Sequence, residues 1–335
     1  MLRVGVIGCG AMGRSHIERI TNRTRGADVT AVSDIFEDGA KKASLITRNS
    51  CNVYTNGKDL IHDPNVDAVM IVSPGSAHRE DLLAAVKSGK RIFCEKPLCT
   101  TAEDCKTIMD AEAASEKHLI QLGFMRRYHK GYLQIRDAIR TGAYGEPLII
   151  HCTHRNPSVP ESYITPMTVH DTAIHEIDLF HWMVDDDFDT VQVITTKKTS
   201  QIHDKCNDPH IMIMKTKSGV TVDLEVFVNC LFGYDINCEV VCEKGALIMG
   251  KPMAPVIKTS GIQSTPVTME CYDLFKDAYD EEIQNWVDCA PAGIIEGPNT
   301  WDGYLAAVTA DALIEAQKTG KIVKVQSAEK PDFYK

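Results

Sequence analysis

Along the first third of the chain, short apolar runs alternate with stretches in which apolar residues return every three or four positions, a rhythm that predicts strands and helices in succession. Strands are predicted over residues 3–7, 29–33, 68–72, 91–94 and 119–122. Helices are predicted over 11–20, 36–48, 77–88 and 101–114, the last with Thr101 as its cap and Glu103 and Asp104 in its first turn. Such alternation with short turns is the pattern of a doubly wound parallel sheet. The rhythm stops near Gly123. A helix over 132–140 ended by Gly142, a long strand over 147–153 and a helix through 174–183 follow. Strands then come in near succession, over 190–196, 211–216, 220–228, 236–242 and 246–249, before two closing helices over 278–289 and 301–318. Strands grouped in this way predict an α+β second domain on a mostly antiparallel open sheet. The expected division is residues 1–122 and residues 123–335.

Composition narrows the function. A chain of 335 residues suits two cores, and a formal charge of −10 without a basic block argues against nucleic acid or an anionic membrane as partner. The twelve cysteines are scattered, and Cys238 and Cys242 stand four apart rather than as a CxxC pair, which supports neither a zinc ribbon nor a thioredoxin-like site. Arg3 leads directly into the first strand and no apolar run reaches about 18 residues, so a cytoplasmic protein with reduced thiols is expected.

Directly after the first strand stands Gly8-Cys9-Gly10-Ala11-Met12-Gly13, which opens the first helix. Glycines so placed allow a tight turn, backbone approach to a pyrophosphate and close helix packing, with the phosphates at the helix N-terminus. Asp34 ends the second strand about 20 residues on, where an acid binds the adenosine ribose hydroxyls. Its charge would repel a 2′-phosphate, and Ile35 and Phe36 are not the arginine of an NADP site, so NAD is the expected cofactor. The first domain is therefore read as a Rossmann domain.

Two further clusters carry candidate chemistry. In Phe93-Cys94-Glu95-Lys96-Pro97, the proline ends the strand and leaves Lys96 at its carboxyl end, the edge of a parallel sheet where ligands bind. On a helix, Asp171, His175, Asp178 and Trp182 would follow one stripe, with Ile174, Ile177 and Phe180 on the packed side. Histidine titrates nearest neutrality and suits proton removal from an alcohol, and a carboxylate one turn away would orient it. Two other readings stay open. His170, Asp171, His175, Glu176, Asp178 and His181 could hold a metal, although position 179 is Leu and breaks the HExxH spacing, or the face could be solvated. Arg126, Arg127, His154, Arg155, Asn156 and Tyr234 lie in segments that could line the same cleft.

Taken together, Val6-Ile7-Gly8-Cys9-Gly10-Ala11-Met12-Gly13, Cys94-Glu95-Lys96-Pro97-Leu98, Gly123-Phe124-Met125-Arg126-Arg127-Tyr128 and His170-Asp171-Thr172-Ala173-Ile174-His175-Glu176-Ile177-Asp178 resemble the glucose–fructose oxidoreductase and inositol dehydrogenase family. His151-Cys152-Thr153-His154-Arg155-Asn156-Pro157, Trp301-Asp302-Gly303-Tyr304 and Glu329-Lys330-Pro331 extend the resemblance to its inositol-oxidising members over nearly the whole length. The resemblance implies a homotetrameric NAD-dependent dehydrogenase that oxidises a cyclitol ring alcohol and needs no metal. It implies His175 as base, Asp171 as its partner and Lys96 on the reacting hydroxyl. Lys96, Arg126, His154, Asn156, Asp171, His175, Asp178 and Tyr234 would form the polyol site, and Gly8, Gly10, Ala11, Met12, Gly13, Asp34, Ser73, Glu95 and Lys96 the cofactor site. The loop Asn156-Pro157-Ser158-Val159-Pro160-Glu161-Ser162-Tyr163 lies where relatives vary, so another inositol isomer or an aldose is an alternative substrate. A non-catalytic NAD-binding sensor and a metal-dependent sugar isomerase are alternative functions.

Overall fold

The computed structural model of the chain describes residues 1–250 and 256–335. Two compact units form: Met1–Met125 with Asp277–Ala307 and Ser327–Lys335, and Arg126–Lys276 with Val308–Gln326. Contacts thus group residues 277–307 and 327–335 with the N-terminal sequence rather than with the segment that follows residue 122. Among the described residues, no helix is long and apolar enough to cross a membrane.

In the first unit β1 (Leu2–Ile7), α1 (Ala11–Asn22), β2 (Ala27–Ser33), α2 (Glu37–Ser44), β3 (Asn52–Tyr54), α3 (Gly57–His62), β4 (Ala68–Ile71), α4 (His78–Ser88), β5 (Arg91–Glu95), α5 (Ala102–Ala114) and β6 (Ile120–Gly123) follow one another. The six strands are parallel in the order β3-β2-β1-β4-β5-β6. Strand order reverses between β1 and β4, the switch point where open sheets bind ligands. The Thr101 hydroxyl accepts the Asp104 N–H at 3.2 Å and caps α5, as its sequence predicts. Helix α2 stops at Ser44, four residues short of its predicted end. There the Ser44 hydroxyl donates to the Lys41 carbonyl and the Thr47 hydroxyl to the Ser44 carbonyl, both at 2.8 Å, competing with the helix ladder. The core joins Val4, Val6, Val29, Val32, Met70 and Phe93 of the sheet to Ile283, Trp286 and Val287, which is why the late helical segment belongs to this unit.

The second unit opens with α6 (Lys130–Arg140), β7 (Pro147–Arg155), α7 (Ile174–Val184), β8 (Phe188–Thr195), β9 (His210–Thr216), β10 (Thr221–Phe227), β11 (Asp235–Cys242) and β12 (Gly245–Ile248). A hairpin of β13 (Ile257–Thr259) and β14 (Ile262–Ser264) follows, and α8 (Cys271–Cys289), α9 (Thr300–Thr319) and β15 (Val323–Lys324) end the chain. The large sheet has the order β12-β11-β7-β10-β9-β8-β15 and is antiparallel except at β10–β7. Its central strands alternate: Ile150, Cys152 and His154 of β7 and Val222, Leu224 and Val226 of β10 are buried, while His151, Thr153 and Arg155 face the other way. On that outer face Arg155 donates at 2.7 Å to both Glu225 and Asp235.

Within the same unit, buried Asp208 accepts the backbone N–H groups of Val228 and Asn229 at 2.9 and 3.1 Å and so fixes the turn that follows β10. Asp208→Ala leaves two donors without their acceptor and is expected to cost about 1–3 kcal/mol in denaturant unfolding. An unchanged midpoint would show that the turn holds without it.

Candidate active site

Gly8 has φ +96°, and a Cβ there would fall 2.6 Å from the Ser73 nitrogen; a Cβ on Gly13 would fall 1.9 Å from the Gly8 carbonyl oxygen. Only glycine lets α1 approach β1 and β4 so closely. Gly10 differs: a Cβ there would meet nothing within 4 Å, so this glycine borders open space at the N-terminus of α1 and caps it without a side chain. Ala11 and Met12 make the first turn. The Asp34 carboxylate accepts the Cys9 N–H at 2.8 Å and the Phe36 N–H at 2.9 Å, so the acid is pinned to the glycine loop. Ser73 follows β4, and its hydroxyl oxygen is buried with no hydrogen-bond partner among the described residues. The open cradle at Gly10, the pinned acid and the unsatisfied hydroxyl fit a dinucleotide.

Glu95 is the last residue of β5, one beyond the predicted end, and faces inward. Its carboxylate lies 2.7 Å from His16 Nε2 and accepts the Lys96 N–H at 3.1 Å. Arg19 can only donate, so its contact of 2.9 Å makes His16 Nδ1 an acceptor and assigns the ring proton to Nε2, toward Glu95. Arg19 continues to Asp280 at 2.7 Å. Burial lowers the His16 pKa against the pull of Glu95. Glu95 therefore anchors the backbone of Lys96, a role the sequence did not reveal.

In the second unit a buried ionic cluster surrounds Glu176, which is fully buried. Arg126 Nη1 donates to one Glu176 oxygen, and His154 Nδ1 lies 2.9 Å from the other. Arg126 Nη2 lies 3.2 Å from the same ring nitrogen, so His154 Nδ1 sits between the guanidinium and the carboxylate. Burial pushes the Glu176 pKa up, but Arg126 and His154 outweigh it and hold it below the ordinary value. The Arg126 guanidinium lies over the Phe275 ring at 5.2 Å. Tyr234 meets His154 edge to face at 5.9 Å, and the His175 ring lies 6.2 Å from His154. Arg126, His154, His175 and Tyr234 are thus gathered around an acid whose sequence role had been confined to a possible metal ligand. Its signal was available: an acid flanked by Ile174, Ile177 and Phe180 on the packed side of a helix requires a cation.

The neighbouring arginine serves another acid. Arg127 grips Asp178 through both carboxylate oxygens, Nε to Oδ2 at 2.9 Å, so Asp178 is an internal ion-pair partner in the structure. Asn156 is fixed through its backbone, its N–H donating to Phe227 at 2.9 Å and its carbonyl accepting from Cys230 at 3.0 Å.

The predicted regular stripe through Asp171, His175, Asp178 and Trp182 is corrected by the structure. A π-helical segment, Thr168–Ala173, precedes α7, and its wider turn breaks the 3.6-residue spacing between Asp171 and the rest. Two members of that face are shielded from water, His175 at 8% exposed and Asp178 at 1%, while Asp171 and Trp182 are half-buried. The Tyr163 hydroxyl donates to the Met167 carbonyl at 2.7 Å and lies 2.6 Å from the Thr172 hydroxyl, tying the end of the loop over residues 156–163 to the π turn that carries Asp171.

Comparison with known proteins agrees with this architecture. Residues 2–124 match the model of an oxidoreductase family with an NAD-binding Rossmann fold, and residues 132–248 match the GFO/IDH/MocA C-terminal domain. The chain is 45% identical over 333 residues to an inositol 2-dehydrogenase of Serratia proteamaculans, covering 99% of each chain. It is 44% identical to an inositol 2-dehydrogenase/D-chiro-inositol 3-dehydrogenase of Halalkalibacterium halodurans, over 99% of this chain and 96% of that one. A myo-inositol dehydrogenase from Lactobacillus casei, solved in complex with NAD(H) and myo-inositol, superposes with a TM-score of 0.96 at 38% identity, covering 100% of both chains.

Proposed function

Because the chain belongs to the NAD-binding oxidoreductase family of glucose–fructose oxidoreductases and inositol dehydrogenases, we propose that it oxidises a ring alcohol of an inositol, myo-inositol to its 2-ketone. The observation that carries this reading is full-length similarity to inositol 2-dehydrogenases together with a glycine cradle and pinned Asp34 that fit NAD. When bound, the nicotinamide accepts the hydride of the carbinol carbon. In the proposed reaction His175 takes the hydroxyl proton, with Asp171 orienting the ring, and the Lys96 ammonium stabilises charge developing on that oxygen. Arg126, His154, Asn156 and Tyr234 are assigned to the polyol hydroxyls, and Asp178 to their support through Arg127.

Turnover tests this directly. Purified protein with NAD and myo-inositol at mildly alkaline pH is expected to generate the absorbance of reduced nicotinamide; silence across the inositol isomers and common aldoses would refute it. The Halalkalibacterium halodurans relative, named for two inositol activities, supports including D-chiro-inositol in that panel.

Cofactor choice is assigned to Asp34. Asp34→Ala is expected to weaken NAD binding by about tenfold, the loss of charged hydrogen bonds, while improving NADP binding by removing the charge that repels its phosphate. A titration in which both affinities stay unchanged would remove Asp34 from the ribose site.

We further propose a cytoplasmic homotetramer. The half-exposed outer face of the seven-stranded sheet, with Ile149 and Ile194 beside charged pairs, offers an area for assembly. Light scattering is expected to give four times the chain mass, and a monomer would contradict the proposal.

A further inference from the structure

His78, the first residue of α4, is fully buried and stands between two loops of the first unit. Its Nε2 lies 2.7 Å from the Ser73 carbonyl oxygen, and its Nδ1 lies 2.8 Å from the Pro97 carbonyl oxygen and 3.3 Å from that of Leu98. Ser73 follows β4; Pro97 is one peptide bond beyond Lys96. A rigid five-membered ring therefore spans the ends of two adjacent strands, and each of its nitrogens is aimed at a carbonyl oxygen, which can only accept, with the Cys94 thiol a further neighbour of Nδ1 at 3.4 Å. A neutral imidazole has one proton for these two sides, and an imidazolium has two. Burial lowers the pKa of this ring, opposed by the three carbonyls and by Glu95. The neutral ring thus carries one N–H that serves either the Ser73 side or the Pro97 side.

We propose that His78 is a positioning residue that fixes the Lys96–Pro97 segment to the Ser73 loop, and so sets the place of the Lys96 ammonium relative to the cofactor site. The inference rests on the proposed roles of Lys96 and Ser73. Such a tie matters because catalytic groups must be held within about half an ångström of their working geometry, and a shift of about 1 Å can cost about a hundredfold in rate. The Glu95 carboxylate, which accepts the Lys96 N–H, holds the same lysine from its N-terminal side, so its backbone is secured before and after the residue.

The two ends of the ring can be tested separately. An asparagine amide nitrogen takes the place of Nδ1 and a glutamine amide nitrogen that of Nε2, so His78→Asn keeps the tie to Pro97 and His78→Gln keeps the tie to Ser73. His78→Ala is expected to lower kcat about 10–100-fold with little change in KM for the polyol. His78→Asn should recover most of kcat, and His78→Gln should recover NADH affinity instead. Thermal melts identify the folded variants, and the asparagine and glutamine proteins carry the test where the alanine protein does not fold. Folded His78→Ala with kcat and NADH affinity near wild type, or His78→Asn no faster than His78→Gln, would overturn the inference. Failure of the wild type to reduce NAD with any polyol would overturn the proposed function instead. The inference would then be read from NADH affinity alone: weaker in His78→Ala and restored in His78→Gln supports it, and equal affinity in all three variants refutes it.

Discussion

Replacing Lys96 with alanine is expected to lower kcat by about 10²–10³-fold, the usual loss when a donor aimed at developing negative charge is removed. NAD should still bind, because the glycine cradle, Asp34 and Ser73 remain. The split is informative: a lysine that only attracted the cofactor phosphates would lose affinity and keep kcat at saturation. Steady-state rates and an NADH fluorescence titration on the same preparation separate the two, and a variant turning over near the wild-type rate would take Lys96 out of the chemistry.

Replacing Arg126 with alanine should have the largest effect on stability. The guanidinium is 1% exposed and the Glu176 carboxylate fully buried, so the variant strands a charge in the core at a cost of about 3–5 kcal/mol. Removing both charges, in Arg126→Leu with Glu176→Leu, is expected to return part of that stability, because the desolvation penalty leaves with the pair. A depressed native pKa also sets the pH response. The contribution of Glu176 is present above its unfolded value of 4.5 and is lost as pH falls through its lower native value. Urea midpoints measured down to acidic pH should decline more steeply in wild type than in the double variant. An Arg126→Ala midpoint equal to wild type would mean that the cluster contributes nothing to the fold.

Elements with several turns or several alternations were legible in the sequence, because burial imposes their periodicity. The parallel strands of the first unit were found with ends within two residues, and so was the seven-stranded sheet apart from its two-residue edge strand β15. The three-residue strand Asn52–Tyr54 and the six-residue helix Gly57–His62 were missed, being too short to show a period. The break at Thr168–Ala173 was hidden for another reason: a π turn inserts into a helix without changing the residues that favour helix.

Partnership was harder to read than location. Two adjacent arginines, Arg126 and Arg127, look equivalent in sequence, yet one joins the Glu176–His154 cluster and the other binds Asp178. Glu95 was placed with the cofactor, while its carboxylate is used by His16 and the Lys96 backbone. Such pairings depend on side chains brought together across about 20–80 positions of sequence, which local spacing cannot encode.

Removal of hydride from the C2 carbinol of an inositol can be followed by isotopic transfer. With myo-inositol deuterated at C2, reduced nicotinamide carrying the deuterium at C4 is expected, formed by the wild type and barely at all by Lys96→Ala. Reduced nicotinamide without deuterium would place the reaction at another carbon, and no reduction from a protein that binds NADH would rule out inositol oxidation.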